Sequence, residues 1–148
     1  MTAKFDQGGV LFEYPENWDL DIEEDGDARL AVSVYSPSGG FWSLRVENEP
    51  APVPDLIQSV LAAIREEYDV VDAEETTQVV EGRELSGLDV NFFCLDLTST
   101  AQVRGMIAEI GTVMILIQAE DREFARLEPI FLAITTSLLR GSSMDRRF

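Results

Sequence analysis

Apolar and polar residues alternate along much of the first third of the chain, which is the pattern of strands with one buried face. Segments 10–14 and 18–22 are typical of strands, and the Asp-Gly pair within 24–27 predicts a hairpin turn after the second of them. The clearest alternation places apolar residues at Leu30, Val32 and Val34 and, after a loop at 36–40, at Trp42, Leu44 and Val46.

The pattern changes to helical spacing after position 50. Prolines at 50, 52 and 54 form a stiff lead-in, and Asp55 followed by Gln58 matches a capping box at a helix start. The apolar positions then lie three or four residues apart, at Ile57, Val60, Leu61, Ile64 and Tyr68. This spacing predicts an amphipathic helix.

The second half returns to strands, predicted at 75–80, 88–97, 103–110 and 113–117. Segments 92–95 and 113–117 are continuously apolar, which is typical of central strands with both faces covered. Helices are therefore expected on both faces of the sheet, with the alternating early strands nearer an edge. The fold class predicted is α+β, an α/β/α sandwich with a central antiparallel sheet flanked by helices.

A second helix is predicted to close the domain. Its buried stripe is Phe124, Leu127, Phe131, Ile134 and Leu138, and Pro129 is expected to kink the helix or to mark where it restarts. Residues 1–140 are expected to form a single domain, followed by a disordered tail at 141–148.

Charge changes the picture of possible partners. The chain has 28 acidic and 11 basic residues among 148, a formal net charge of −17, which repels phosphate groups. Binding to nucleic acid or to an anionic membrane is therefore not expected, whereas a basic protein partner is compatible with this charge. Mimicry of a polyanion is compatible with it too, and the simpler interpretation is that the charge serves solubility alone.

The sequence also favours a cytoplasmic location. No segment approaches the ~20 consecutive apolar residues of a membrane-spanning helix. Residues 1–9 are polar and lack the apolar core of a signal peptide. The single cysteine, Cys94, excludes an internal disulfide.

Most catalytic chemistry is excluded by composition, so the protein is not expected to be an enzyme. It contains no histidine, which removes histidine-dependent triads and most zinc sites. It has no nucleophile elbow, phosphate-binding loop or dinucleotide fingerprint. Lys4, the only lysine, lies in a segment expected to be disordered, and Cys94 is expected to be an inert core residue. No catalytic, cofactor-binding or metal-binding residue is assigned, and no cofactor is expected.

The acidic hairpin is the best candidate for a cation site. Aligned with an EF-hand loop, Asp21, Glu23, Asp25 and Gly26 match its first half, but Val32 stands where a bidentate glutamate is required. The simpler interpretation is a solvent-facing strand carrying Asp19 and Asp21, followed by a polar turn that ends at Asp27.

Two acidic pairs and the aromatic pair Phe41-Trp42 also have simple structural interpretations. Glu66-Glu67 and Glu74-Glu75 are most simply solvated charge near the helix exit. No pair of acids is singled out for carboxylate-dependent hydrolysis, which stays an alternative. Trp42 has the parity of the buried residues, whereas Phe41 faces the opposite side, where a helix covers it or a partner contacts it.

The segment Phe12-Glu-Tyr-Pro-Glu-Asn-Trp18 resembles the F-x-Y-P-x-x-W opening of the PsbP-like superfamily. The element order over residues 5–139 is similar too, with strands through Gly87 and Gly105 and a closing helix containing Leu-Glu-Pro-Ile-Phe131. That superfamily includes a photosystem II extrinsic subunit, a Ran-binding Mog-type import protein and small bacterial proteins of unknown function. The resemblance implies an antiparallel sheet between helices, and a binding or assembly role without a shared catalytic set.

The function expected is a non-catalytic protein-binding or assembly domain with a protein partner. One alternative is a dedicated chaperone for a secreted protein, since the resemblance extends to chaperones of secreted toxins. The other is a small-ligand or cation-binding module, for which the acidic hairpin is the cue.

Overall fold

The computed structural model describes residues 1–24 and 26–141. It contains one seven-stranded antiparallel sheet in the order β3-β4-β5-β9-β8-β7-β6 and one separate two-stranded sheet, β1-β2. The strands are β1 (Thr2–Gln7), β2 (Val10–Pro15), β3 (Asp19–Ile22), β4 (Ala28–Tyr35), β5 (Phe41–Glu47), β6 (Asp69–Val80), β7 (Arg83–Cys94), β8 (Leu97–Ala108) and β9 (Gly111–Glu120). The helices are α1 (Val53–Glu67) and α2 (Asp121–Gly141).

The two helices lie on opposite faces of the large sheet, so the predicted α+β sandwich is confirmed. Trp42, Leu44 and Val46 of β5 pack with α2 in the larger core, and the β1-β2 hairpin covers the same face. Helix α1 packs on the other face, where Val90 and Val103 are fully buried. The apolar positions of the period-two pattern in the early strands are therefore those that face α2.

The continuously apolar strand β9 is central, as predicted, and the early strand β3 is an edge. Strand β7, which was expected to be covered on both faces along 92–95, instead lies next to the edge strand β6. The apolar run extends past the end of β7 into the following turn, where Phe93 and Leu95 are exposed.

The expectation of a disordered start was wrong, because Thr2–Gln7 forms β1 and places Lys4 in a strand. Gly8 and Gly9 adopt φ angles of 62° and 84° in the two-residue turn to β2. Phe5 lies opposite Phe12, and their rings stack with centroids 5.1 Å apart. The contact between these two rings and the complete hydrogen-bond ladder between β1 and β2 thus order the polar segment at the start of the chain.

The predicted capping box was also wrong. Helix α1 begins at Val53 after Pro52, with no side-chain cap, so Asp55 lies within the first turn. Prolines have no N–H group, so Pro52 and Pro54 reduce the number of unpaired donors that a cap would satisfy. The backbone N–H of Asp55 bonds the carbonyl of Pro52 instead, at 3.1 Å.

Helix α2 is a single element that contains Pro129, with no restart there. It buries Leu127, Phe131, Ile134 and Leu138 as the stripe predicted, while Phe124 is half-buried. Gly141 belongs to this helix and not to a tail, and the remainder of the expected tail, 142–148, lies outside the described residues.

Candidate interaction surface

Among the described residues, the turn between β7 and β8 carries the most exposed large apolar side chain after Met1. Leu95 is 91 % exposed, and Leu95 and Asp96 have φ angles of 50° and 66°. A two-residue hairpin needs positive φ at both positions, which asparagine and glycine adopt readily and leucine does not. Leucine therefore occupies this turn against both its backbone preference and its hydrophobicity.

A second strained apolar residue lies at the same end of the sheet. Val70 has a φ of 53° in the irregular pairing between Asp69 and Asp72, and it is 68 % exposed. Positive φ is a genuine outlier for a β-branched residue and costs on the order of 1–3 kcal/mol. The bulge thus holds an exposed valine in a costly conformation.

Two further exposed apolar residues flank these strained positions. Phe93, opposite Asp69 on β6, is 44 % exposed, and Leu97, opposite Cys94, is 37 % exposed. We refer to Val70, Phe93, Leu95 and Leu97 as the apolar tip.

The neighbouring Phe92 shows why the tip is left uncovered. Phe92 faces α1 and stacks with Tyr68 at the helix end, with ring centroids 4.4 Å apart. Phe93 points to the opposite face, so α1 cannot cover it. Cys94 is half-buried at the last position of β7 and packs against the margin of the core on the α1 face, while its expected inertness stays a prediction.

Strand β6 places acids beside the tip. Asp69, Asp72, Glu74 and Glu75 are all exposed along this strand. We refer to these four residues as the acidic edge. Glu74 and Glu75 therefore belong to a strand and not to the helix exit, unlike Glu66 and Glu67, which end α1 as exposed residues.

Arg104 is the one charged residue that is buried in the described part of the chain, at 5 % exposure. Its guanidinium donates to Gln78 Oε1 of β6 at 2.8 Å, to the Leu88 carbonyl of β7 at 3.1 Å and to Asp89 Oδ1 at 2.7 Å. Arg104 itself lies on β8, so the side chain ties three neighbouring strands together behind the acidic edge.

We expect the substitution of Asp89 to lower the free energy of unfolding more than the substitution of Arg104 does. Asp89→Ala leaves a buried guanidinium without its carboxylate and should lower the free energy of unfolding by about 2 kcal/mol, since Asp89 is partly solvated. Arg104→Met removes the buried charge itself and should cost about 1 kcal/mol. Urea denaturation of both variants checks the order, and an equal or reversed order would contradict this account.

A groove of about 260 Å³ opens between Arg104 and helix α2. Its polar lining includes Gln78, Gln102 and Thr135, and its apolar lining includes Phe131. The guanidinium beside it is already bonded to Gln78, Leu88 and Asp89, so the groove offers no uncommitted charge from this arginine.

The described acids of the hairpin do not form a metal-binding group. Asp19 and Asp21 are exposed on β3, and Glu23 accepts a hydrogen bond from Ser33 Oγ at 3.4 Å. Within residues 1–24 and 26–141 no group of three or more histidine, cysteine or acidic residues has metal-binding geometry. Asp25, part of the proposed set, lies outside the described residues.

The two aromatic residues after the 36–40 loop have different environments. Trp42 is fully buried, as its parity predicted. Phe41 is half-buried, and its ring centroid lies 5.8 Å from that of Tyr35 on the neighbouring strand β4. Phe41 therefore has an aromatic neighbour within the sheet.

The apolar tip was not found from the sequence. The sequence pattern predicted one strand over 88–97, whereas the structure divides this segment at Leu95 and Asp96 into β7 and β8. Neither helix of the described chain has the length and apolar character needed to cross a membrane.

Comparison with known proteins agrees with this architecture. The solution structure of cyanobacterial PsbP from Synechocystis sp. PCC 6803 superimposes with a TM-score of 0.59, covering 93 % of this chain and 89 % of that one at 13 % identity. The chain has a PsbP-like fold. Protein PA94 of unknown function from Pseudomonas aeruginosa matches with a TM-score of 0.52 and 13 % identity, covering 99 % of both chains. No family model and no curated protein matches the sequence.

The PsbP-like fold explains the packing of the opening motif. Trp18 is buried with its ring edge against Phe131 of α2, at a centroid distance of 5.8 Å, and its backbone N–H donates to the Pro15 carbonyl. Tyr14 is partly buried beside Phe12. The motif residues therefore dock the β1-β2 hairpin and the turn after it onto α2, which is a structural role.

Proposed function

We propose that this protein is a non-catalytic protein-binding domain that contacts its partner through the apolar tip. The observation that carries the proposal is Leu95, which is 91 % exposed at a φ of 50° and belongs to neither core cluster. Burying one leucine in an interface stabilises the complex by about 1.5–3 kcal/mol, which offsets the cost of the turn. The exposed leucine is thus favourable only in a complex, where a partner buries its side chain.

The chemistry of the chain supports a binding role over catalysis. The sequence has no histidine, and the buried Arg104 is engaged in holding three strands. Fold likeness alone does not select a function among PsbP-like proteins, so the proposal stands on the tip. A chaperone for a secreted protein is the special case in which the partner segment is apolar and not yet folded.

The proposal predicts that Leu95→Asn gains stability and loses binding. Asparagine tolerates positive φ, so we expect the free energy of unfolding to rise by about 0.5–1 kcal/mol. Loss of the buried leucine should weaken partner binding at least about tenfold. Tagged protein is used for capture from native lysate with low-salt and high-salt washes, and the retained partner is then purified for titration calorimetry.

Glu81→Asn is the matched control. Glu81 has a φ of 51° in the β6-β7 turn, at the opposite end of strand β7 from Leu95, and its ion pair with Arg140 is exposed. The Glu81→Asn variant should show a similar change in the free energy of unfolding and should bind the partner as strongly as the unmodified protein does. If Leu95→Asn retains the partner at high salt as well as the control does, the tip is not the contact surface.

A further inference from the structure

We infer that the partner contributes a basic β-strand that pairs with the open edge of β6. This inference rests on the proposed function and specifies the partner's chemistry. Strand β6 ends the seven-stranded sheet, and its 12 residues span roughly 40 Å. Its pairing with β7 is continuous from Asp72 to Val80, so the other side of this stretch presents a regular row of backbone groups.

The register identifies which backbone groups point outward. Glu81 and Gly82 form a two-residue turn, so the flanking pair Val80 and Arg83 exchanges hydrogen bonds. Bonded and non-bonded pairs alternate along an antiparallel ladder. The N–H and C=O groups that face away from β7 therefore belong to Ala73, Glu75, Thr77 and Val79.

This edge is protected against its own copy but open to a basic strand. Long edge strands usually avoid pairing through lysine, proline or short length, and β6 contains no lysine and no proline. It carries the acidic edge instead, so two copies placed side by side would repel each other. A strand bearing lysine or arginine would be attracted to the same residues.

Three acids of this stretch, Asp72, Glu74 and Glu75, lack a basic partner among the described residues. No basic side chain among residues 1–24 and 26–141 forms an ion pair with Asp72, Glu74 or Glu75. Glu74 also lies opposite Asp89, a like charge whose partner is Arg104. A basic strand would neutralise carboxylates that no basic residue in the described part of the chain compensates.

A surface groove gives a long basic side chain room to lie across the edge. The groove has a volume of about 450 Å³ between α1 and strands β6 and β7, and its lining includes Ile57, Glu75, Thr77 and Leu88. The aliphatic part of a lysine or arginine would pack on Ile57 and Leu88 while its charge reaches Glu75. At the other end of the edge, the apolar tip would meet apolar residues of the same partner.

The test uses a synthetic peptide that alternates lysine with valine, and a matched peptide with glutamate in place of lysine. Fluorescence anisotropy should show binding of the lysine peptide alone. Thr77→Pro removes an outward N–H and should weaken this binding at least tenfold while the circular dichroism spectrum stays native. Thr76→Pro removes an N–H bonded to β7 and should instead destabilise the fold.

Charge reversal separates strand pairing from loose attraction. Glu75→Lys should reduce affinity for the lysine peptide and create affinity for the glutamate peptide. If Thr77→Pro binds the lysine peptide as well as the unmodified protein does, or if the lysine peptide does not bind at all, strand addition at β6 is wrong. The proposed function survives that result if lysate capture still depends on Leu95, so the two failures are distinguishable.

Discussion

Gly87→Ala should lower the free energy of unfolding by about 3–5 kcal/mol, enough to abolish much of the native state of a domain this size. Gly87 lies on β7, directly opposite Arg104 of β8. A methyl group there would overlap the carbonyl oxygen of Val103 and lie 2.9 Å from its carbonyl carbon. Both are backbone atoms of the neighbouring strand, so no side-chain rotation relieves the overlap, and β7 and β8 would have to separate.

The same methyl group would disturb the arginine that ties the strands together, since it would lie 3.1 Å from Arg104 Cδ. Ser86→Ala on the adjacent, exposed position is the control and should change stability by less than about 0.5 kcal/mol. Thermal and urea unfolding of the two variants measure the difference. A melting temperature for Gly87→Ala close to that of Ser86→Ala would show that the strands can separate here at little cost.

Local periodicity was sufficient to predict the elements that pack a single face against the core. The stripe of α2 and the alternation of Trp42, Leu44 and Val46 were readable because each of these elements packs one face against the core. The central position of β9 followed from its continuous apolar run, since a strand covered on both faces has no polar side.

What periodicity missed depends on contacts distant in sequence. Strand β1 has a single buried apolar residue, Phe5, and is ordered by its ladder to β2 and by the Phe12 ring. The run at 92–95 looked like a buried core, but local hydrophobicity cannot show that the helices leave Phe93 and Leu95 exposed. A positive φ at Val70 is likewise set by a bulge in the β6-β7 register.

The candidate surface was therefore the least predictable part of the molecule. Glu74 and Glu75 were interpreted as solvated charge, which agrees with their exposure but says nothing about their arrangement with the other acids of β6. Only the sheet order reveals that Asp72, Glu74 and Glu75 lie on an open edge next to the apolar tip. These three acids are the part of the −17 net charge that the proposed strand pairing uses.

Trp42→Ala should lower the free energy of unfolding by about 3–5 kcal/mol, the other large effect in this domain. Trp42 is fully buried on β5, its Nε1–H donates to Thr135 Oγ1 of α2 at 3.0 Å, and its ring centroid lies 4.9 Å from that of Phe12. One side chain thus joins the large sheet, the closing helix and the β1-β2 hairpin. Urea denaturation measures the loss, with half-exposed Phe41→Ala as a smaller-effect control on the same strand.

The hydrogen bond can be separated from the packing by a double-mutant cycle. Thr135→Val leaves the buried Trp42 N–H without an acceptor and should cost about 1–3 kcal/mol, whereas Trp42→Phe removes the donor and much less volume than alanine does. The two changes together should cost less than their sum by about 1 kcal/mol, because the double variant contains no orphaned partner. Additive costs would mean that ring packing alone, and not the Trp42–Thr135 bond, fixes α2 on the sheet.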